Sequence, residues 1–192
     1  MIWAVRNNER VMATKGAKAL CPSCRNQVIP KCGQIKIHHW AHLVCECDSF
    51  KHGETLWHYR WKQRFPKEMQ EVILKYDTEL HRADIYTGSR VIEFQKSSIS
   101  SNEIKAREMF YGNMIWVLDG SDFSKNFYVR DKGNYETFRW KWPRASWAFA
   151  KCPVFVDFES EMFEVKKIYP STPCGGWGIT WGLAEFYDWA KN

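Results

Sequence analysis

The chain lacks any run of about 18 uncharged apolar residues, so no segment is suited to crossing a membrane as a helix. It also lacks internal repeats and low-complexity tracts, and its first ten residues, M-I-W-A-V-R-N-N-E-R, hold no apolar stretch of signal-peptide length. A cytoplasmic protein in a reducing compartment is therefore the expectation. Acidic residues are in deficit, with 22 Asp and Glu against 28 Lys and Arg, a net charge of +6. What is present is enough for a core: 192 residues, 45% hydrophobic and 16% aromatic, exclude wholesale disorder and fit one domain, or one domain with a small module.

The charge is uneven. Residues 1–53 hold 8 Lys and Arg against 3 Asp and Glu, residues 54–119 hold 10 against 10, and residues 120–192 hold 10 against 9. The first segment also carries five of the 7 Cys and four of the 6 His. A basic, Cys- and His-bearing module suits a polyanion, nucleic acid foremost, with Lys31, Lys36 and Lys51 as the phosphate-contacting cations. Composition thus divides the chain into an N-terminal module (1–53), a core (54–119) and a Trp-rich C-terminal extension packing on it (120–192).

Seven Cys under reducing conditions point to metal or free thiols rather than disulfides. Cys21 and Cys24 form C-x2-C around Pro22 and Ser23, and H-H-W-A-H follows. Zinc wants four N or S ligands in a tetrahedron, and such a knuckle offers two thiolates from one turn. Cys21, Cys24, His39 and His42 are the expected ligands, with His38 the alternative to His39. V-I-P-K-C-G-Q-I-K-I reads as a hairpin between the two ligand pairs. Cys32, Cys45, Cys47 and His52 form a weaker second set, because Cys45 and Cys47 stand only two apart. Cys152 and Cys174 read as core or loop thiols.

The middle segment alternates helix and strand. Glu54 to Phe65 reads as a helix stopped by Pro66, Val72 to Tyr76 and His81 to Tyr86 as strands, Gly88-Ser89 as a turn, and Val91 to Gln95 as a third strand. Ser100 and Glu103 make a capping-box signature for a helix up to Gly112, and Met114 to Leu118 reads as a strand buried on both faces. The strand–helix–strand step permits a parallel crossover, hence an α/β fold with a mixed sheet. Asp84 and Glu93 fall on successive strands, and Gln95 shares a face with Glu93. Ionised groups in so apolar a strand are costly unless something binds them, and Mg²⁺ or Mn²⁺ would do so through oxygen ligands. Glu54, His58 and Lys62 repeat along one helix face and offer a further carboxylate and a cation. A Glu–Lys surface ladder, with Asp84 and Glu93 paired to Arg82, Arg90 or Arg107, is the competing reading.

The succession C-P-S-C, H-H-W-A-H, E-T-L-W-H-Y-R-W-K, H-R-A-D, V-I-E-F-Q-K-S-S-I-S, R-E-M-F-Y and I-W-V-L-D resembles the competence protein CoiA-like nucleases of the PD-(D/E)XK superfamily. The resemblance spans about Leu20 to Asp119. It implies a restriction-endonuclease-like core, a mixed sheet flanked by helices, and a metal-dependent deoxyribonuclease acting in DNA processing or recombination in a bacterial or phage-infected cell. Asp84 would match the metal-binding Asp, Glu93 the acid of the (D/E)XK element, and Glu54 the helix-borne acid before the sheet. Gln95 stands where many members have Lys, so Lys62, His58, Arg107 and Tyr111 are candidates for that lysine's role. Arg107 and Tyr111, four residues apart, would also face nucleic acid. A non-catalytic nucleic-acid-binding protein with a degenerate nuclease fold is the rival reading.

Overall fold

Asn7 and Asn8 take φ of 52° and 65°, the left-handed pair that a two-residue hairpin needs. They join β1 (Trp3–Arg6) to antiparallel β2 (Glu9–Met12). With β3 (Ala19–Leu20), β4 (Gln27–Lys31) and β5 (His39–His42) these strands form a five-stranded sheet ordered β2-β1-β3-β4-β5. β4 and β5 pair antiparallel, but the hairpin expected over Val28 to Ile37 takes its second strand later, at His39–His42. The core under this sheet is small: Ala4, Ala13, Ala19, Cys21, Val28 and Trp40. So little apolar area is the usual circumstance in which a module adds a metal. These descriptions come from a computed structural model that describes residues 1–34, 36–43, 47–50, 53–169 and 174–192.

Helix α1 (Leu56–Lys62) starts where Thr55 accepts a hydrogen bond from the His58 N–H, and stops before Pro66. It is shorter at both ends than the sequence predicts, since Thr55 is already the cap. β6 (Gln70–Tyr76) and β7 (Glu79–Tyr86) form an antiparallel hairpin, each starting two residues earlier than expected, with Asp77 left-handed at the turn.

The chain packs as two units, Met1–Tyr86 and Thr87–Asn192. The first contains the Cys- and His-bearing module together with α1 and the β6–β7 hairpin. The composition boundary at 53/54 follows ligand content; the packing boundary follows a buried tether. Glu71 on β6 accepts the backbone N–H of Ile2 at 2.8 Å and of Trp3 at 3.0 Å, which binds the hairpin to the strand that opens the module.

The second unit begins with β8 (Val91–Gln95), α2 (Ser101–Tyr111) and β9 (Met114–Asp119). Ser100 caps α2 by accepting the Glu103 N–H, and Gly112, at φ 67°, ends it. β8 and β9 run parallel, so the crossover predicted from sequence is present, and every residue of β9 is buried. β10 (Phe127–Asp131), β11 (Glu136–Trp140), β12 (Val154–Asp157), β13 (Glu161–Tyr169) and β14 (Cys174–Gly182) follow, then α3 (Leu183–Lys191). Their order is β10-β11-β14-β13-β12-β9-β8. β12 pairs parallel with β9, and the rest antiparallel, making a mixed sheet. Residues 120–192 therefore continue the sheet edge to edge, and also pack on it through Trp147, which meets Trp116, and through α3. α2 covers one face, where Glu108 accepts the Trp116 indole N–H, and α3 the other, where Phe186 and Trp189 meet Phe155. Much of the Trp-rich segment is core: Trp140 and Trp147 are buried.

Candidate functional site

Two constellations stand out in the first unit. The first is a knuckle closed by the Arg25 N–H donating to the Cys21 carbonyl at 3.0 Å, with Arg25 left-handed at φ 61°. It turns the Cys21 and Cys24 thiols toward His42 and Cys47. The ligand atoms of these four residues lie within 4.8 Å of one another. Cys21 Sγ is 3.7 Å from Cys47 Sγ, and His42 Nε2 is 3.4 Å from Cys24 Sγ and 3.6 Å from Cys47 Sγ. A tetrahedron with ordinary Zn–S and Zn–N bonds has edges of about 3.8 Å between sulfurs and about 3.5 Å from sulfur to nitrogen. The donor set fits, and the cluster could hold a zinc ion.

The fourth ligand differs from the sequence expectation: it is Cys47, not His39. His39 and His42 are both in β5, three residues apart, and an odd separation sends strand side chains to opposite faces. His39 Nδ1 instead meets the Ile37 carbonyl at 2.9 Å, and His38 is exposed. The spacing from His42 to Cys47 was the available signal, obscured by reading Cys47 with Cys45. Cys45 and His52 of the weaker second set, and Lys51 among the expected phosphate contacts, lie outside the described residues.

The thiols answer to their surroundings. Burial would raise the Cys21 thiol, but N–H groups at Cys24 and Ser23 and the Cys47 thiol bring it below its ordinary value. Cys47 is pushed up to about 12, by burial and then by Cys21. Several thiolates cannot share this pocket without a cation, so filling it expels protons.

Asp48, the residue after Cys47, is buried. Its carboxylate accepts the Arg82 N–H at 2.9 Å and lies 2.8 Å from His81 Nδ1, and Phe50 stacks on the His81 ring at 3.5 Å. The segment holding the fourth thiol is thereby clasped to β7, the strand of Asp84.

The second constellation centres on Lys62. It is 1% exposed, and its Nζ lies 2.8 Å from Asp84, 3.0 Å from Glu54 and 3.2 Å from Glu71. Helix α1 supplies the cation, β6 and β7 two of the acids, and the residue before the helix cap the third. The surface-ladder reading of Glu54 and Lys62 does not hold, since Lys62 is buried and the Glu54 side chain is only 8% exposed. His58 is buried as well, with Nδ1 2.7 Å from Thr55 Oγ1. Burial works to lower the Lys62 ammonium, yet Asp84, Glu54 and Glu71 outweigh it and raise it above the ordinary lysine value. Burial likewise works to raise Glu71, but Lys62 and Arg82 hold it well below the usual carboxylate range. Glu71 sits at φ 48°, a left-handed strain, and no sequence motif marks it. Asp84 alone of the three acids is partly open, with a side chain 20% exposed. Glu54 Oε1 is buried with no hydrogen-bond partner among the described residues.

In the second unit, Glu93 is buried on β8 and accepts Arg107 Nη1 at 2.8 Å, while Arg107 Nη2 reaches Glu103 at 2.8 Å. Arg107 is 0% and Tyr111 5% exposed, so neither faces nucleic acid: α2 turns both inward, where Arg107 grips Glu93. The Gln95 amide N–H donates to the Ser97 carbonyl at 2.8 Å, and its Oε1 is buried without a partner among the described residues. Lys31 and Lys36 are exposed beside a depression that His39 also lines.

Comparison with known families bears directly on these constellations. The family described as competence protein CoiA, nuclease-like domain, matches residues 52–173, well over half of the chain, and competence protein CoiA, N-terminal domain, matches residues 4–50. The chain belongs to the CoiA competence protein family. The two matches meet between the Cys/His module and Glu54, just before the helix of Lys62, and the nuclease-like match runs on through β13. No curated protein and no solved structure matches the chain.

Proposed function

We propose that this CoiA-family chain is a metal-dependent deoxyribonuclease of PD-(D/E)XK type that acts in DNA processing, with structural zinc in the Cys21/Cys24/His42/Cys47 cluster. The observation that carries the reading is Lys62, a buried ammonium held against Asp84. Three carboxylates, Glu54, Glu71 and Asp84, gather around Lys62 with Arg82 nearby, in a poorly solvated place. So many ionised groups out of water are costly in a structural role alone, and their carboxylates suit a site that receives a divalent cation. The half-open Asp84 carboxylate and the partnerless Glu54 oxygen are hard donors of the kind Mg²⁺ or Mn²⁺ takes. Asp84 and Glu93 are the proposed acidic residues, with Gln95 orienting through its unpartnered carbonyl oxygen. When bound, the metal supplies Lewis acidity and an activated water.

The chain's own residues divide the remaining work. Lys62, with its raised pKa, stays charged at neutral pH, so it stabilises negative charge on the phosphate and does not shuttle protons. Arg107 positions Glu93 and is spent doing so. Lys31, Lys36 and Lys51 would contact backbone phosphates. A non-catalytic reading has two observations in its favour: Gln95, in the lysine position, sends its amide to Ser97, and Glu93 is paired with Arg107, as the competing reading of the sequence expects. The two readings separate in a cleavage assay over single-stranded, duplex and branched DNA and RNA. Cleavage that needs Mg²⁺ or Mn²⁺ and stops with EDTA supports the nuclease; metal-independent binding with no product under any condition supports the binder.

A further inference from the structure

The sheet face of the second unit formed by β10, β11, β14 and the end of β13 is left uncovered by both helices. On β14, a Cβ at Gly176 or Gly178 would strike the rings of Phe138 and Phe163, so those positions point inward. Gly175 and Trp177 therefore point outward. Register then sets the outward neighbours: Tyr128 opposite Arg139, Arg130 opposite Thr137, Thr137 beside Trp177, and Trp177 beside Lys167. Gly175 lies between Arg139 and Tyr169 and leaves a gap free of side chain. Tyr128 is 54% and Tyr169 48% exposed. Tyr128, Arg130, Arg139 and Lys141 line one open depression of about 720 Å³.

The charge here is of one sign. Among the described residues no carboxylate pairs with Arg130, Arg139, Lys141 or Lys167. The contrast with Lys166 is local: it takes Glu164 at 2.5 Å, and its neighbour Lys167 lies over the Tyr169 ring at 5.4 Å. Uncompensated cations repel one another, and exposed rings forgo burial; a polyanion that also presents flat apolar faces answers both costs. A duplex offers phosphates but keeps its base faces stacked, and an acidic peptide offers charge without rings. An unpaired strand offers both, with rings stacking on bases and guanidinium groups on phosphates.

We propose that this face binds single-stranded nucleic acid, with Tyr128 and Trp177 stacking on bases and Arg130, Arg139 and Lys167 holding the backbone. The proposal rests on the nuclease reading only for the kind of polymer. The test is fluorescence anisotropy in EDTA with a labelled oligothymidylate, a hairpin duplex of equal charge and polyglutamate as competitor. Arg130→Gln with Arg139→Gln should weaken the single strand at least about 10-fold and lower its salt slope by roughly 1.4, two contacts at about 0.7 each. Tyr128→Ala should weaken the single strand by about 10-fold while leaving its salt slope and the duplex affinity unchanged. Both are surface variants, and an unchanged melting temperature checks the fold. Wild-type affinity in the double variant overturns the proposal, as does equal loss of duplex and single strand in Tyr128→Ala, or polyglutamate competing at equal charge. A chain that binds as expected but never cuts keeps this face and loses the nuclease reading. One that cuts, but binds strands independently of these residues, does the reverse.

Discussion

Cys47 and His39 give the sharpest contrast between neighbouring side chains. Cys47→Ala should release zinc as completely as Cys21→Ala, and His39→Ala should keep close to one zinc per chain, measured by metal analysis after gel filtration. Zinc lost from His39→Ala and kept by Cys47→Ala would reinstate the His pair. Lys62 carries the complementary prediction. It and Glu71 are buried, so replacing Lys62 with Ala strands the carboxylates around it and should cost about 3–5 kcal/mol of stability by denaturant melts. Glu71 titrates below its unfolded value, so its contribution is complete above about pH 4.3 and disappears as pH falls toward the folded value. Lys62 titrates above its unfolded value, so its contribution holds below about pH 10.4 and disappears as pH rises further. Neither group adds pH dependence between those limits, and Glu71→Gln should flatten the acid limb. An unchanged acid limb in Glu71→Gln would remove that carboxylate from the account.

At the scale of elements, β7 connects the two constellations. Asp48 follows a zinc ligand and holds the Arg82 N–H, and Arg82 stands two residues before Asp84. Zinc removal should therefore speed hydrogen exchange at the Arg82 amide far more than in the buried β12 strand of the second unit. Equal acceleration in both places would mean general unfolding, and no change at Arg82 would dissolve the clasp. The elements of residues 54–119 were legible where they carry a local signal: Ser100 as a cap, Pro66 and Gly112 as stops, the apolar run at Met114 as a buried strand; the Thr55 cap went unread, so α1 starts later than expected. β14 was not legible, because its glycines at 175, 176 and 178 and its interspersed tryptophans break the period-2 pattern. Glu71 was illegible for a different reason: its partners, the Ile2 and Trp3 N–H groups, are nearly seventy residues away.

For the whole molecule, the sequence order of motifs was enough to point to the family; Asp84 and Glu93 fall on the strands expected of them, while Glu54 precedes the helix expected to bear it. Which residue would stand in for the lysine replaced by Gln95 is open in the sequence; Lys62 meets Asp84 and Arg107 meets Glu93, and the proposal takes Lys62. The most direct measurement is the rate of Mg²⁺-dependent cleavage by the full chain and its Asp84→Asn and Glu93→Gln variants, each checked for zinc content and melting temperature. The account predicts that wild type cuts and stops with EDTA, and that each variant keeps its zinc and fold while losing at least about 10²-fold in rate, the scale of one electrostatic contact in the transition state. Both variants cutting at the wild-type rate, or cleavage persisting in EDTA, would contradict it.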